Sequence, residues 1–292
     1  MRKGPRFDLA AGHARMVLRD LGVSRLPVDP EWIAREHRVL VQAKPTGSRG
    51  VSGMLIKSGD DFAIAYATHI ASPGFQRFSI AHELGHFFMP DHPEALFRTG
   101  PVHESRAGFS SGDNIELEAD HFAAALLMPK LPFLQEVRAQ NTENLELILK
   151  MADVCRTSRT ATAIRYVKLT DHPMALVVSS GSRIEYCFLS VSLRAVPGLE
   201  WSRKGSMLPL GSATSAFNRH CGNVLNGARK DDVTSLSDWF GGRWDIECLE
   251  EVQGLGAYQK TLTIITPVKD LDIEELLEEE ELVDSWTPTF RR

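Results

Sequence analysis

The run His82-Glu83-Leu84-Gly85-His86 combines residue types and spacing that could do chemistry directly. Residues four apart on a helix share a face, so His82 and His86 can each offer a ring nitrogen to one tetrahedral Zn²⁺, with Glu83 beside them. The arrangement suits hydrolysis. Zinc lowers the pKa of a water to about 7, and a neighbouring carboxylate can take its proton and pass it to a leaving amine. Five residues on an amphipathic helix can also match by chance, so the surrounding sequence has to decide.

Three residues compete for the third ligand position. His92 stands where the pattern HExxHxxGxxH would place a histidine. However, Met89-Pro90 occupies the required turn, and a residue before proline prefers extended geometry, so His92 is expected in a loop. Glu116 is followed four residues later by Asp120, which allows the glutamate to ligate zinc while the aspartate accepts the other N–H of a ligand histidine. At 100° per residue, Glu116 falls at the edge of the apolar face made by Ala119, Phe122, Ala123, Leu126 and Leu127. Glu118 points away and is expected to be solvated. The expected set is therefore His82, His86 and Glu116 as ligands, Glu83 as general base and Asp120 as the group that orients a ligand. Tyr66 and His103 are candidate transition-state donors, with core packing and loop exposure as their competing roles. Zn²⁺ is the expected metal and Mn²⁺ the alternative, since N/O sites also follow metal availability.

Several elements must hold these residues in place. The periodicity predicts a helix over 7–21 stopped by Gly22, and Asp29-Pro30 predicts the start of a second running to about His37. Strands are expected at 39–41, 54–57 and 62–66, the last two as a hairpin in a small antiparallel sheet. A helix over about 74–88 carries the two histidines and ends at Met89-Pro90. Residues 90–114 are rich in Pro, Gly and Ser and read as a long, lid-like connection. The helix bearing Glu116 covers about 115–127, and a further helical region covers about 142–167. From residue 175 onward, β-branched stretches indicate a separate sheet domain.

HELGH, the variable loop, IELEADHFAAALLMP and the helical segment after it resemble the ImmA/IrrE family of metallopeptidases over roughly residues 1–170. Beyond that point, domain order and length resemble the radiation-response regulators of the family. One departure is Asp120-His121, where relatives usually show Asn after the Ala; aspartate serves the orienting role equally well. The resemblance implies an α+β chain with a zincin-like metallopeptidase domain over 1–130, a helical helix-turn-helix-like segment over 131–171 and a GAF-like α/β sensory domain over 172–292. It also implies a gluzincin-type zinc endopeptidase of the cytoplasm that cuts a helix-turn-helix transcriptional repressor after DNA damage. The C-terminal domain would gate it, with a small molecule as that domain's ligand.

Residues 149–167 loosely follow a helix-turn-helix, and Lys150, Arg156, Arg159, Arg165 and Lys168 face only one acid, Asp153. These bases, Arg156, Arg159 and Arg165 above all, could meet nucleic-acid phosphates, but the expected reading is a helical connector whose arginines are solvated or dock the protein substrate. Arg156 stands where such turns usually have Gly, and Thr162 where an apolar residue is usual. The rival function is therefore a DNA-binding or scaffolding regulator with a structural metal, although structural zinc needs no general base such as Glu83.

Composition narrows the classes further. With 43% hydrophobic residues and a net charge of -5, wholesale disorder and a basic nucleic-acid coat are excluded. Residues 270–292 hold nine acids against two bases, so the rest of the chain is near neutral, and this segment is expected to form an amphipathic helix over a sheet. Apolar runs are too short for a membrane span, and Asp8, His13, Arg15, Arg19 and Asp20 interrupt any signal-peptide core. Cys155, Cys187, Cys221 and Cys248 are widely spaced and read as reduced thiols.

Overall fold

Caps and prolines set the helix boundaries in the N-terminal half. The computed structural model describes residues 4–44, 50–69, 72–106 and 113–286. In it, Asp29 accepts from the amides of Glu31 and Trp32, and Pro30 opens the helix that follows. The chain divides into two units, Met1–Thr142 with Glu146–Thr162, and Glu143–Leu145 with Ala163–Arg292.

The first unit begins with α1 (Phe7–Asp20), α2 (Pro30–Glu36), β1 (Leu40–Lys44), β2 (Val51–Ser58) and β3 (Asp61–Ala67). It continues with α3 (Pro73–Phe88), α4 (His92–Leu96), β4 (Val102–Arg106), α5 (Asn114–Leu127) and α6 (Lys130–Ala139). Two further helices, α7 (Asn144–Cys155) and α8 (Arg159–Leu169), cross the division between units. Ser72 and Pro73 start α3, and Met89, in extended geometry before Pro90, ends it.

The four strands run in the order β1-β3-β2-β4. The sheet is mixed where an antiparallel one was expected: β1 lies parallel to β3, and β2 pairs antiparallel with β3 and β4. The reason is positional: β2 runs against both β1 and β3, and because it lies on the far side of β3, β1 neighbours the strand that shares its direction. The connection over 90–114 also differs from the expected loop, since it contains α4 and the edge strand β4, while 107–112 lie outside the described residues. Backbone pairing with β2 makes β4 a strand despite its polar sequence, which carries no apolar alternation.

Residues 79–86 of α3 are buried without a break, as for a helix enclosed on all sides. Small residues set how closely its neighbours approach. A Cβ on Gly85 would lie 3.0 Å from Ala119 Cα of α5, and one on Gly74 would lie 2.6 Å from the Ser158 backbone nitrogen. Between α7 and α8, Arg156 takes the left-handed conformation that glycine usually supplies (φ 52°), and Ser158 Oγ accepts from Ala161 N. The α6 helix opens the segment expected to be helical; Pro129 forms its N-cap and Pro132 sits in its first turn.

The second unit is built on a five-stranded antiparallel sheet in the order β6-β5-β9-β8-β7. Its strands are β5 (Ala175–Ser180), β6 (Arg183–Leu189), β7 (Arg229–Ser235), β8 (Glu247–Gly254) and β9 (Thr261–Pro267), with helices α9 (Val191–Arg194), α10 (Ala213–Asn218), α11 (Cys221–Leu225), α12 (Leu236–Phe240) and α13 (Ile273–Trp286). A core around Val177, Leu193, Trp239, Phe240 and Ile265 receives Leu271, Ile273 and Leu276, so the acidic segment does lay apolar residues on the sheet. The buried carboxylate of Glu250 is held by the amides of Ala213 and Thr214 and by the Thr214 hydroxyl. None of the four cysteines is in a disulfide, and burial pushes the Cys187 and Cys248 thiols up to about 12, which makes them inert. Among the described residues no helix is long and apolar enough to cross a membrane.

Overpacking against backbone that cannot retreat costs about 1–3 kcal/mol. Gly74→Ala is accordingly expected to destabilise the protein by about 2 kcal/mol, read as a lowered urea midpoint at unchanged slope. An unchanged midpoint would show that α3 does not rest on the Thr157-Ser158 backbone as described.

Candidate metal centre

The enclosure of α3 carries His82, Glu83 and His86 into the interior, and α5 crosses it closely enough to bring Glu116 to them. His82 Nε2 and His86 Nε2 are 3.0 Å apart. Glu116 places Oε2 3.3 Å from His82 Nε2 and Oε1 3.4 Å from His86 Nε2. Ligand atoms on a tetrahedron with bonds of about 2.0–2.1 Å are about 3.3 Å apart, so these three donors already sit near the corners that Zn²⁺ would require. They are also the group that could hold a metal ion among the described residues.

Both histidines are anchored from behind. His82 Nδ1 donates to Asp120 Oδ1 at 2.8 Å, one helical turn beyond Glu116. His86 Nδ1 meets His92 Nδ1 at 3.2 Å, and His92 Nε2 lies 3.1 Å from Glu118 Oε2. Glu118 is held in turn by Arg6, through its backbone amide at 2.9 Å and its guanidinium at 2.9–3.2 Å.

Two expectations are corrected here. His92 opens α4 and is 1% exposed, so it is neither a loop residue nor one of the three gathered donors. Glu118 is 3% exposed rather than solvated, because Arg6, at the mouth of α1, covers the side of α5 that helical periodicity assigned to water.

Glu83 is fully buried, and neither of its oxygens has a hydrogen-bond partner among the described residues. Burial pushes it up to about 7, outweighing the downward pull of His82. Its carboxylate lies over Gly53 of β2, where a Cβ would fall 2.5 Å from Oε1. A glycine inside a strand can signal such close approach, and this one was not singled out from sequence. Arg6 was missed as well, since no local pattern links residues 112 positions apart.

Of the two donor candidates, His103 on β4 reaches the cluster, with Nε2 3.0 Å from Glu116 Oε1, while Tyr66 lies half-buried on β3 opposite Gly53. Burial alone would lower His82, but the hydrogen bonds to Asp120 and Glu116 win and raise it to about 10. Burial lowers His86 to about 3. Burial would raise Glu116, yet its contacts with His103, His82 and His86 hold it far below the usual carboxylate range. A cluster with an ionised carboxylate, a protonated imidazole and a neutral one behaves as though a proton stands where a larger cation would fit.

The basic residues of the helix-turn-helix-like segment lie elsewhere. Arg156 and Arg159 are exposed, Arg165 is half-buried, and the Lys168 ammonium sits 5.3 Å from the Phe188 ring centre. Lys150 pairs loosely with Glu146 at 3.9 Å.

Residues 34–166 match the family described as the IrrE N-terminal-like domain, Peptidase_M78, which supports an ImmA/IrrE-like assignment with a zinc-metallopeptidase-like fold. No curated protein matches the chain. A solved structure described as a Mycobacterium tuberculosis transcriptional regulator shares the fold, with a TM-score of 0.59 and 16% identity, covering 90% of this chain and 76% of that one.

A carboxyl whose folded pKa lies above its unfolded value favours folding below the unfolded pKa and loses that contribution as pH rises through the folded one. For Glu83 the window runs from the ordinary carboxyl value of 4.5 to about 7. In metal-free protein, Glu83→Gln should therefore gain stability over the parent across this window, by about 3 kcal/mol at pH 8 relative to pH 4, as measured by urea unfolding. A difference that stays flat with pH would mean that Glu83 ionises normally.

Proposed function

We propose that the chain is a zinc-dependent endopeptidase of the cytoplasm whose substrate is a helix-turn-helix transcriptional repressor, and whose cleavage of it induces a DNA-damage or radiation response. The observation that carries this reading is Glu83, a buried carboxylate without a partner, set beside three gathered donor atoms. A structural metal site has no use for such a group, whereas a hydrolase needs one.

In this reading His82, His86 and Glu116 hold the metal, and the two-imidazole, one-carboxylate donor set suits Zn²⁺, with Mn²⁺ as alternative. A bound Zn²⁺ supplies Lewis acidity, which polarises the scissile carbonyl and makes water acidic enough to deprotonate near neutral pH. Glu83 takes that proton on its carboxylate and returns it to the departing amine. Asp120 keeps the His82 ring turned so that Nε2 faces inward. His103, which already reaches Glu116, and Tyr66 are the candidates for stabilising the developing oxyanion.

The repressor substrate is supported by the ImmA/IrrE-like assignment and by a structural relative described as a transcriptional regulator. The second unit is proposed as a GAF-like sensor whose small-molecule ligand gates the peptidase. The rival, a DNA-binding regulator, relies on α8 as a recognition helix. Burial of Ala161, Thr162, Ala163, Ile164, Tyr166 and Val167 weighs against it, because Arg159 and Lys168 are then the exposed residues left to that helix.

The test is incubation of the zinc-loaded protein with a co-encoded helix-turn-helix repressor. The parent should cleave it. Glu83→Gln should bind equimolar zinc yet cleave at least about a hundredfold more slowly, and His86→Ala should lose both metal and activity. Cleavage by Glu83→Gln at the parental rate, or salt-sensitive promoter binding with no cleavage, would overturn the proposal in favour of the regulator.

A further inference from the structure

We infer that Arg6, Glu118 and His92 form a hydrogen-bond relay that fixes the tautomer of His86 with Nε2 bare, so that His92 is a positioning residue for a metal ligand it does not itself join. The inference rests on reading the triad as a metal site, and adds to it how one of its histidines is prepared.

The direction of the relay follows from counting donors. Arginine has donors and no acceptors, and Arg6 engages both oxygens of Glu118, at 2.9 Å through its backbone nitrogen to Oε1 and at 2.9 Å through its guanidinium to Oε2. Glu118 is thereby an acceptor toward every neighbour, and the His92 Nε2 contact at 3.1 Å must be donated by the ring. A neutral His92 then presents a lone pair at Nδ1, which accepts from His86 Nδ1 at 3.2 Å. The His86 proton is committed to that side, which leaves Nε2 to face His82 Nε2 at 3.0 Å and Glu116 Oε1 at 3.4 Å. A second proton on His92 would reverse the last link. It would also set another cation beside Arg6 in a site where Glu118, already neutralised by Arg6, is the carboxylate that the ring touches.

The two ligand histidines are thus prepared differently. His82 has its carboxylate in direct contact, whereas His86 reaches one only through a second imidazole. Arg6 lies outside the segment that matches the family, so this end of the relay belongs to the N-terminal arm.

Substitution at Glu118 makes the idea testable. In Glu118→Gln, Arg6 claims the amide oxygen and leaves the amide NH₂ facing His92. The ring must then accept at Nε2 and donate from Nδ1, which drives the His86 proton onto Nε2, where a metal would bind. Zinc affinity should be measured by competition with a chromophoric chelator, alongside far-UV circular dichroism. Glu118→Gln and His92→Phe should each bind Zn²⁺ about 10–100-fold more weakly than the parent with unchanged secondary structure. His92→Gln has a donor and an acceptor spaced like the ring nitrogens and should stay within about threefold of the parent. A packing role alone would reverse that order, since Phe fills the volume and Gln does not. Imidazole ¹⁵N shifts of the metal-free full chain supply the second readout, with the His86 proton expected on Nδ1 in the parent and on Nε2 in Glu118→Gln. If His92→Phe fails to fold, Glu118→Gln and the parental spectrum decide. A parent that binds no zinc sinks the metal-site reading, and the relay is then judged by the tautomer alone. Parental affinity in both Glu118→Gln and His92→Phe, or a His86 proton on Nε2 in the parent, overturns the relay.

Discussion

The architecture of the first unit turns on how closely α3 and α5 cross. Gly85 sits in the last turn of α3, where it costs up to roughly 1 kcal/mol of helix propensity relative to alanine. In return the α5 backbone at Ala119 approaches to a distance that a single methyl group would strain. Glu116 and Asp120 flank Ala119 and inherit that closeness, so one carboxylate reaches the imidazoles of both His82 and His86 and the other reaches the back of His82. Bulkier residues at the crossing would part the helices, and three donors within about a tetrahedral edge of one another would become an ordinary scatter of polar groups.

The electrostatics follow from the same enclosure. Four imidazoles and four carboxylates are largely taken out of water in one cluster, and each must find a counterpart or change its protonation. Glu118 finds Arg6, and Asp120 finds His82. Glu116 is shared among three histidines, and Glu83 has no partner among the described residues. The orphaned group lies against Gly53 of β2, so the sheet leaves space there for a carboxylate that has no hydrogen-bond partner among the described residues. That combination suits a group meant to exchange a proton rather than to hold one.

Much of this was legible from sequence where the signal lies within a turn or two of the chain. Asp29-Pro30, Met89-Pro90 and the spacing of His82 and His86 are local instructions, and the elements they imply are present. What stayed hidden depends on partners distant in sequence. The strand β4 exists because β2 offers it an edge, and the parallel pairing of β1 with β3 depends on where β2 sits. Helical periodicity placed Glu118 toward solvent correctly for an isolated helix, but α1 supplies a cover that no rotation angle contains. His92 was judged by whether it could be a ligand, a question that passes over residues acting one contact further back.

The entry of α1 carries a consequence for how the molecule is made. The centre draws on residue 6, on 82–92, on 103 and on 116–120, so it cannot close until α5 has left the ribosome. Before then, a lone helix of this length is marginal in water, and two imidazoles on it make a poor trap for a divalent cation. The non-local contacts that complete the site belong to the slow part of folding. Any metal capture by this centre would then be a late event, tied to the docking of α1 onto α5.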